Sequence, residues 1–146
     1  MTNPEPTVLH ATAVSVEGKA VLIIGASGSG KSSLALEMMA RGAILVADDQ
    51  VILTESDSGV VLSCPDALRG MIEARGVGLL HATHHSPVVL TLVVDMDQME
   101  SERLPQHRSI TYLSETFPLL HNLDSRHFPS AVLQYLRSSG RADERA

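Results

Sequence analysis

The 146-residue chain has one cysteine, only two lysines and no hydrophobic run long enough to cross a bilayer. Cys64 alone cannot close an internal disulfide, which fits a reducing compartment and a role as a small core filler. The longest apolar stretches, 20–24 and 88–94, fall far short of the about 20 residues that a membrane span needs, and no basic-then-apolar signal opens the chain. The expected location is the cytoplasm, with no membrane partner. Positive charge is also scarce, with 11 basic against 17 acidic residues and a net charge of −6. That balance argues against a broad electrostatic footprint for nucleic acid, which is not an expected partner. Internal repeats, low-complexity tracts and a linker able to divide the chain are absent.

What is present reads as one globular domain. Hydrophobic residues make up 44% and charged residues 19%, close to the averages for soluble folds, and a chain of this length can bury a real core. Residues 1–7, with two prolines, read as an unstructured lead, 8–139 as the domain and 140–146 as a frayed tail. Within the domain, 8–16 is strand-like, and the unbroken apolar run 20–24 suits a strand covered on both faces. A helix is expected over 31–42, stopped by Gly42. Residues 43–47 form the next buried strand, and 51–54 with 60–63 form a hairpin, which makes the sheet mixed. A short helix at 65–70, strands at 71–74 and 77–80, a strong strand at 87–95, a loop over 95–106, a strand at 110–113 and a helix at 130–138 follow. The stripe Val132, Leu133, Tyr135 and Leu136 reads most simply as that last helix packing on the domain.

The sharpest motif is Gly25-Ala26-Ser27-Gly28-Ser29-Gly30-Lys31-Ser32, which satisfies G-x-x-x-x-G-K-[ST] between an expected strand and an expected helix. Average residue usage makes a chance match in this length a roughly half-percent event, and the scarcity of lysine makes it rarer. Such a loop turns successive backbone N–H groups onto phosphate oxygens, and the helix N-terminus adds its positive dipole end. Lys31 would reach the β- and γ-phosphates of a nucleotide and Ser32 a bound Mg²⁺, with Ser33 next along the helix. Asp48-Asp49 closes the strand 43–47, so both carboxylates emerge at one strand end, beside the loop if the two strands are neighbours. One could hold metal and the other accept a proton; the residues alone do not divide those roles. His81, His84 and His85 lack a companion Cys pair or an H-E-x-x-H arrangement, and no metal site is expected there.

The ordered combination is more specific than the loop. His10, then the stretch from Leu22 to Gly42 with its loop, then Leu45-Val46-Ala47-Asp48-Asp49, then Glu73-Ala74-Arg75-Gly76-Val77-Gly78 and finally Glu102-Arg103-Leu104 resemble the catalytic domain of HPr kinase/phosphorylase over roughly residues 9–104. That family phosphorylates a serine of the phosphocarrier protein HPr, in regulation of carbon metabolism, and many members reverse the step by phosphorolysis. The resemblance implies a single α/β domain with a mixed sheet and a phosphate loop in a PEP-carboxykinase-like arrangement, with ATP and Mg²⁺ as cofactors. It further implies Asp48 as the base toward the serine hydroxyl with His10 close by, Asp49 and Glu73 beside the metal with Ser32, and Arg75 beside the phosphates or the incoming protein. Arg103 would stabilise charge on the transferred phosphoryl group. HPr is the implied partner and a homo-oligomer, the hexamer of full-length relatives, the implied assembly.

Some features depart from the family. The chain resembles shortened forms without the N-terminal domain, Ser33 replaces a common acidic residue, and the family's Pro-Gly-Arg-Asn stretch is not recognisable in 119–128. Two rival functions stand beside the serine kinase: a small-metabolite kinase using the same loop, and an ATP-sensing module that docks on a signalling protein.

Overall fold

The computed structural model describes residues 5–138. The expected tail at 140–146 and the first four residues of the expected lead lie outside that range. Eleven strands and two α-helices follow in the order β1 (Thr7–Leu9), β2 (Thr12–Val16), β3 (Lys19–Ile24), α1 (Lys31–Ala40), β4 (Ile44–Ala47), β5 (Val51–Ser56) and β6 (Gly59–Ser63). A single 3₁₀ turn (Asp66–Leu68) precedes β7 (Met71–Ala74), β8 (Gly78–His81), β9 (Val88–Met99), β10 (Arg108–Tyr112), β11 (Glu115–Asn122) and α2 (Phe128–Arg137). Nine strands form one sheet along the path β1-β5-β6-β9-β3-β2-β4, with β11 also on β9 and β10 on β11; β7 and β8 pair separately. The expected mixed α/β architecture is what forms, because β3, β9 and β11 run parallel while the hairpins run antiparallel.

The apolar run of β3 is buried through its middle because it supplies both faces of the sheet. Val21 and Ile23 join a cluster with Leu34 and Met38 of α1 and Val132, Leu133 and Leu136 of α2. Ala20 and Leu22 face the opposite cluster, with Leu53, Val60, Leu62 and Phe117 from the curled part of the sheet. This period-2 division is what a strand covered on both sides requires. The C-terminal stripe is therefore core packing, and Lys19 Nζ donates to the Leu136 carbonyl at 3.1 Å, joining the end of α2 to the start of β3. Helix α1 ends at Ala40 with Arg41 as its C-cap, and Gly42 follows at φ 106° in the left-handed region as expected for its stop. Cys64 is buried among the second cluster and its thiol donates to the Pro65 carbonyl, while burial pushes its pKa up.

Four local expectations need correction. The strand over 8–16 is two strands, since the chain breaks at His10 and Ala11; β1 starts at Thr7 and pairs with β5, whereas β2 pairs with β3 and β4. The helix expected at 65–70 is only the three-residue turn. The loop over 95–106 starts too early, because β9 continues to Met99 with β11 alongside it. β11 itself was not foreseen: Pro118 cannot donate to a ladder and demotes the segment in a sequence reading, yet it is tolerated opposite Ser109. The condition attached to Asp48-Asp49, that β3 and β4 be neighbours, is not met, because β2 lies between them. Since β2 is antiparallel to both, β3 and β4 still end on the same side of the sheet.

Leu22 is fully buried in β3, so Leu22→Ala leaves a cavity and should lower unfolding free energy by about 2–5 kcal/mol, read from the denaturation midpoint at unchanged slope. Cys64 should alkylate far more slowly than free cysteine at neutral pH, and a rate equal to that of the free thiol would contradict its placement.

Candidate functional site

The loop between β3 and α1 takes its shape from three glycines. Gly25, Gly28 and Gly30 have φ of 146°, 83° and 101°, and Gly30 is the left-handed residue from which α1 starts. A Cβ on Gly25 would sit 2.6 Å from Ser29 Oγ and 3.1 Å from Met96 Cβ, so the loop closes only because that atom is missing. Lys31 is 7% exposed, and its Nζ donates to the carbonyls of Gly25 at 2.8 Å and Ala26 at 3.0 Å. The ammonium is thus pre-positioned within the loop, and Ser29 Oγ is buried there without a partner.

The Ala26 N–H donates to both carboxylate oxygens of Asp97, at 3.0 and 2.9 Å. The Asp97 N–H donates in turn to Asp95 Oδ1 at 2.9 Å. Asp97 is available only because β9 overruns the point where a loop was expected, so the sequence reading missed it. The continued alternation Val94-Asp95-Met96-Asp97 was the signal that could have shown it.

Asp48 is the hub of the site. It is 6% exposed and accepts from Thr12 Oγ1 at 2.8 Å and Ser32 Oγ at 2.7 Å on one oxygen, and from the Glu73 N–H at 2.9 Å on the other. Thr12 opens β2, Ser32 lies in the first turn of α1 and Glu73 is on β7, so three elements converge on one carboxylate. Thr12 was also missed, because only the insertion of β2 between β3 and β4 brings it there. Asp49 turns away with φ 73°, and its carboxylate meets His10 Nδ1 at 3.2 Å, both side chains more than half exposed. His10 therefore shares the cleft with Asp48 but pairs with Asp49.

These residues line a cleft of about 160 Å³, with Ser27, Gly28, Gly30, Lys31, Ser32 and Ser33 on one wall and Thr12, His10, Asp48, Asp49, Glu73 and Arg75 on the other. Arg75, at the β7–β8 turn, places a guanidinium nitrogen 3.9 Å from the Cβ position of Gly28. Gly25, Ala26 and Ser29 shape the loop without lining the cleft. Arg103 does not join them: it is exposed in the segment 100–107. That segment is tied at its base, where Glu100 pairs with Arg108 and accepts the N–H groups of Ser101 and Glu102. Burial raises the Glu100 pKa, but the Arg108 hydrogen bond, the Glu102 and Ser101 N–H groups and the Arg108 charge together hold it below the ordinary carboxylate value.

Among the described residues no three His, Cys, Asp or Glu side chains gather into a metal centre of their own. The donors present are hard oxygens, which suit Mg²⁺, an ion that takes one or two carboxylates together with substrate phosphates rather than a full protein cage. The His84 ring instead packs on Gly70, where a Cβ would meet it at 2.6 Å. No helix among the described residues is long and apolar enough to cross a membrane.

A mixed α/β domain with a glycine-rich loop opening a helix against a buried, triply hydrogen-bonded aspartate defines the class. Residues 3–109 match the HPr Serine kinase C-terminal domain, and the chain belongs to that family. Among curated proteins it is 46% identical over 77 residues to the HPr kinase/phosphorylase of Clostridium botulinum (strain Eklund 17B / Type B), covering 53% of this chain and 25% of that protein. With the HPr kinase/phosphorylase of Bordetella pertussis the identity is 49% over 75 residues, covering 51% and 24%. The match thus spans about a quarter of the length of these relatives. The solved Hpr(Ser) kinase/phosphatase from Coxiella burnetii shares the fold, with a TM-score of 0.76 at 23% identity over 90% of this chain and 89% of that one.

The Glu100 anchor has a defined pH sense. A carboxyl whose folded pKa is depressed stabilises the fold above its unfolded value and loses that contribution as pH falls through the folded one. Amide hydrogen exchange of segment 100–107, corrected for its intrinsic pH dependence, should therefore become less protected on acidification below the ordinary carboxylate range, and Glu100→Gln should speed limited trypsin cleavage after Arg103 already at neutral pH.

Proposed function

We propose that the chain is an ATP-dependent protein serine kinase that transfers the γ-phosphate to a serine of the phosphocarrier HPr. The carrying observation is Asp48, buried and oriented by Thr12, Ser32 and Glu73 at the rim of a cleft whose other wall is the glycine-rich loop. Family membership and the similarity to HPr kinase/phosphorylases support HPr as the acceptor.

In this reading the backbone N–H groups of residues 25–32 and the start of α1 bind the phosphates. Lys31, already inside the loop, exchanges its carbonyl partners for the β- and γ-oxygens. Asp48 orients the seryl hydroxyl and takes its proton as the serine oxygen bonds to phosphorus and the bond to the β-phosphate oxygen breaks. In phosphorolysis the same carboxyl returns the proton to the departing serine. His10 stands across the cleft on Asp49, and Arg75 offsets charge above Gly28. Arg103 would contribute once segment 100–107 folds toward the cleft. Mg²⁺ supplies charge neutralisation on the phosphates when bound, and Ser32, Asp49 and Glu73 are the residues that would hold it. Most of the acceleration then comes from positioning and electrostatics. The protein would act in the cytoplasm, as a homo-oligomer.

Transfer of labelled γ-phosphate from ATP to purified HPr tests this. Serine labelling by the wild-type chain should fall by at least about 100-fold in both Lys31→Ala and Asp48→Asn, the scale of a lost general base or phosphate contact. Unchanged labelling in Asp48→Asn with ATP binding intact sinks the assignment. ATP binding with no transfer favours a sensing module, and stimulation of ATP turnover by small acceptors favours a metabolite kinase.

A further inference from the structure

The cleft of about 160 Å³ is polar and small, and it has room for the phosphates but not for a whole nucleoside triphosphate. A second cavity of about 360 Å³ lies on the other side of the first turn of α1. Gly30 and Ser33 line both, so the two spaces meet along that turn. The walls of the second differ in chemistry: Met96 and Met99 from the end of β9, Leu123 after β11 and Phe128 at the start of α2, with Asn122 and Ser125 among them. Two carboxylates, Glu37 and Asp124, line it as well, but none of the Asp48 group reaches it.

We infer that this second cavity is the nucleoside subsite, taking the base and ribose of the nucleotide whose phosphates occupy the loop. The inference rests on the nucleotide reading above and adds where the rest of the molecule goes. Three observations converge. First, β3, β9 and β11 are mutually parallel and the cavity opens beyond their C-terminal ends, the crevice in which parallel sheets bind ligands. Second, a nucleotide leaving the loop has two directions. The Asp48 side holds His10, Asp48, Asp49 and Glu73, has no apolar wall, and is required by the acceptor hydroxyl. The Met96 side has the apolar surface that a flat base needs and lies in the volume range of small-molecule pockets. Third, thioethers make favourable contacts with aromatic rings, and two methionines flank the route from Gly30 outward. Met96 is continuous with the loop itself, its methyl carbon 3.5 Å from the Cβ position of Gly30. Asn122 and Ser125 supply the few polar groups that orient a base edge or a ribose hydroxyl in such a pocket.

Met99 is 61% exposed, so Met99→Glu alters the cavity wall without disturbing the core. Calorimetric titration of the full chain with ATP and with inorganic triphosphate, each with Mg²⁺, separates the two subsites. Wild-type chain should bind ATP about tenfold or more tightly than triphosphate; Met99→Glu should lose most of that advantage while its triphosphate affinity moves by less than about twofold. Equal wild-type affinities for the two ligands, or an undiminished preference for ATP in Met99→Glu, overturn the nucleoside subsite and leave the phosphate reading standing. Failure of wild-type chain to bind either ligand removes both readings together.

Discussion

A buried carboxylate must be compensated or it destabilises the fold by several kcal/mol, and Asp48 is compensated by three donors from three different elements. The hydroxyl of Thr12 fixes the start of β2, the hydroxyl of Ser32 fixes the first turn of α1, and the Glu73 N–H fixes β7. The same three bonds hold the glycine-rich loop, the rim of the cleft and the β7–β8 turn with Arg75 at one place. Stability and site geometry therefore depend on one charge, and its replacement by an apolar residue would strand Thr12 and Ser32 as well as remove the acid.

The sheet explains why that convergence is possible. Two strands running in the same direction deliver a loop and an acidic pair to one face, and the antiparallel β2 between them contributes Thr12 at its first residue. On the opposite flank, β9 overruns and carries Asp97 to the Ala26 N–H, bracing the first turn of the loop. The loop is thus held from both sides, by β9 through Asp97 and by β4 through Asp48. Helix α1 then separates a polar cleft, with the glycine-rich loop, Lys31 and Arg75 in its walls, from a largely apolar cavity, a division that suits a reagent with a polyanionic end and a flat apolar end.

Much of this was legible locally. The G-x-x-x-x-G-K-S run sits between an apolar strand and a helix with a glycine stop, so composition, period and motif agree over residues 20–42. The hairpin at β5–β6 and the burial of Val132, Leu133 and Leu136 were also readable from alternation and helical spacing. Asp97, Thr12 and β11 were not. Asp97 depends on where a strand stops, which pairing with β11 decides rather than intrinsic preference. Thr12 is an ordinary strand residue until its neighbour in space is known.

The sequence by itself determined the chemistry of the parts: a loop whose glycines admit left-handed backbone, a lysine and serine at the helix start, and an acidic pair at a strand end, because these follow from residue type and short-range spacing. Tertiary structure alone decided the partnerships. It put Asp48 rather than Asp49 on Ser32, gave His10 to Asp49, inserted β2 between β3 and β4, and left Arg103 outside the cleft. Those outcomes rest on strand order and on which buried polar groups must be satisfied, and both are properties of the packed chain as a whole.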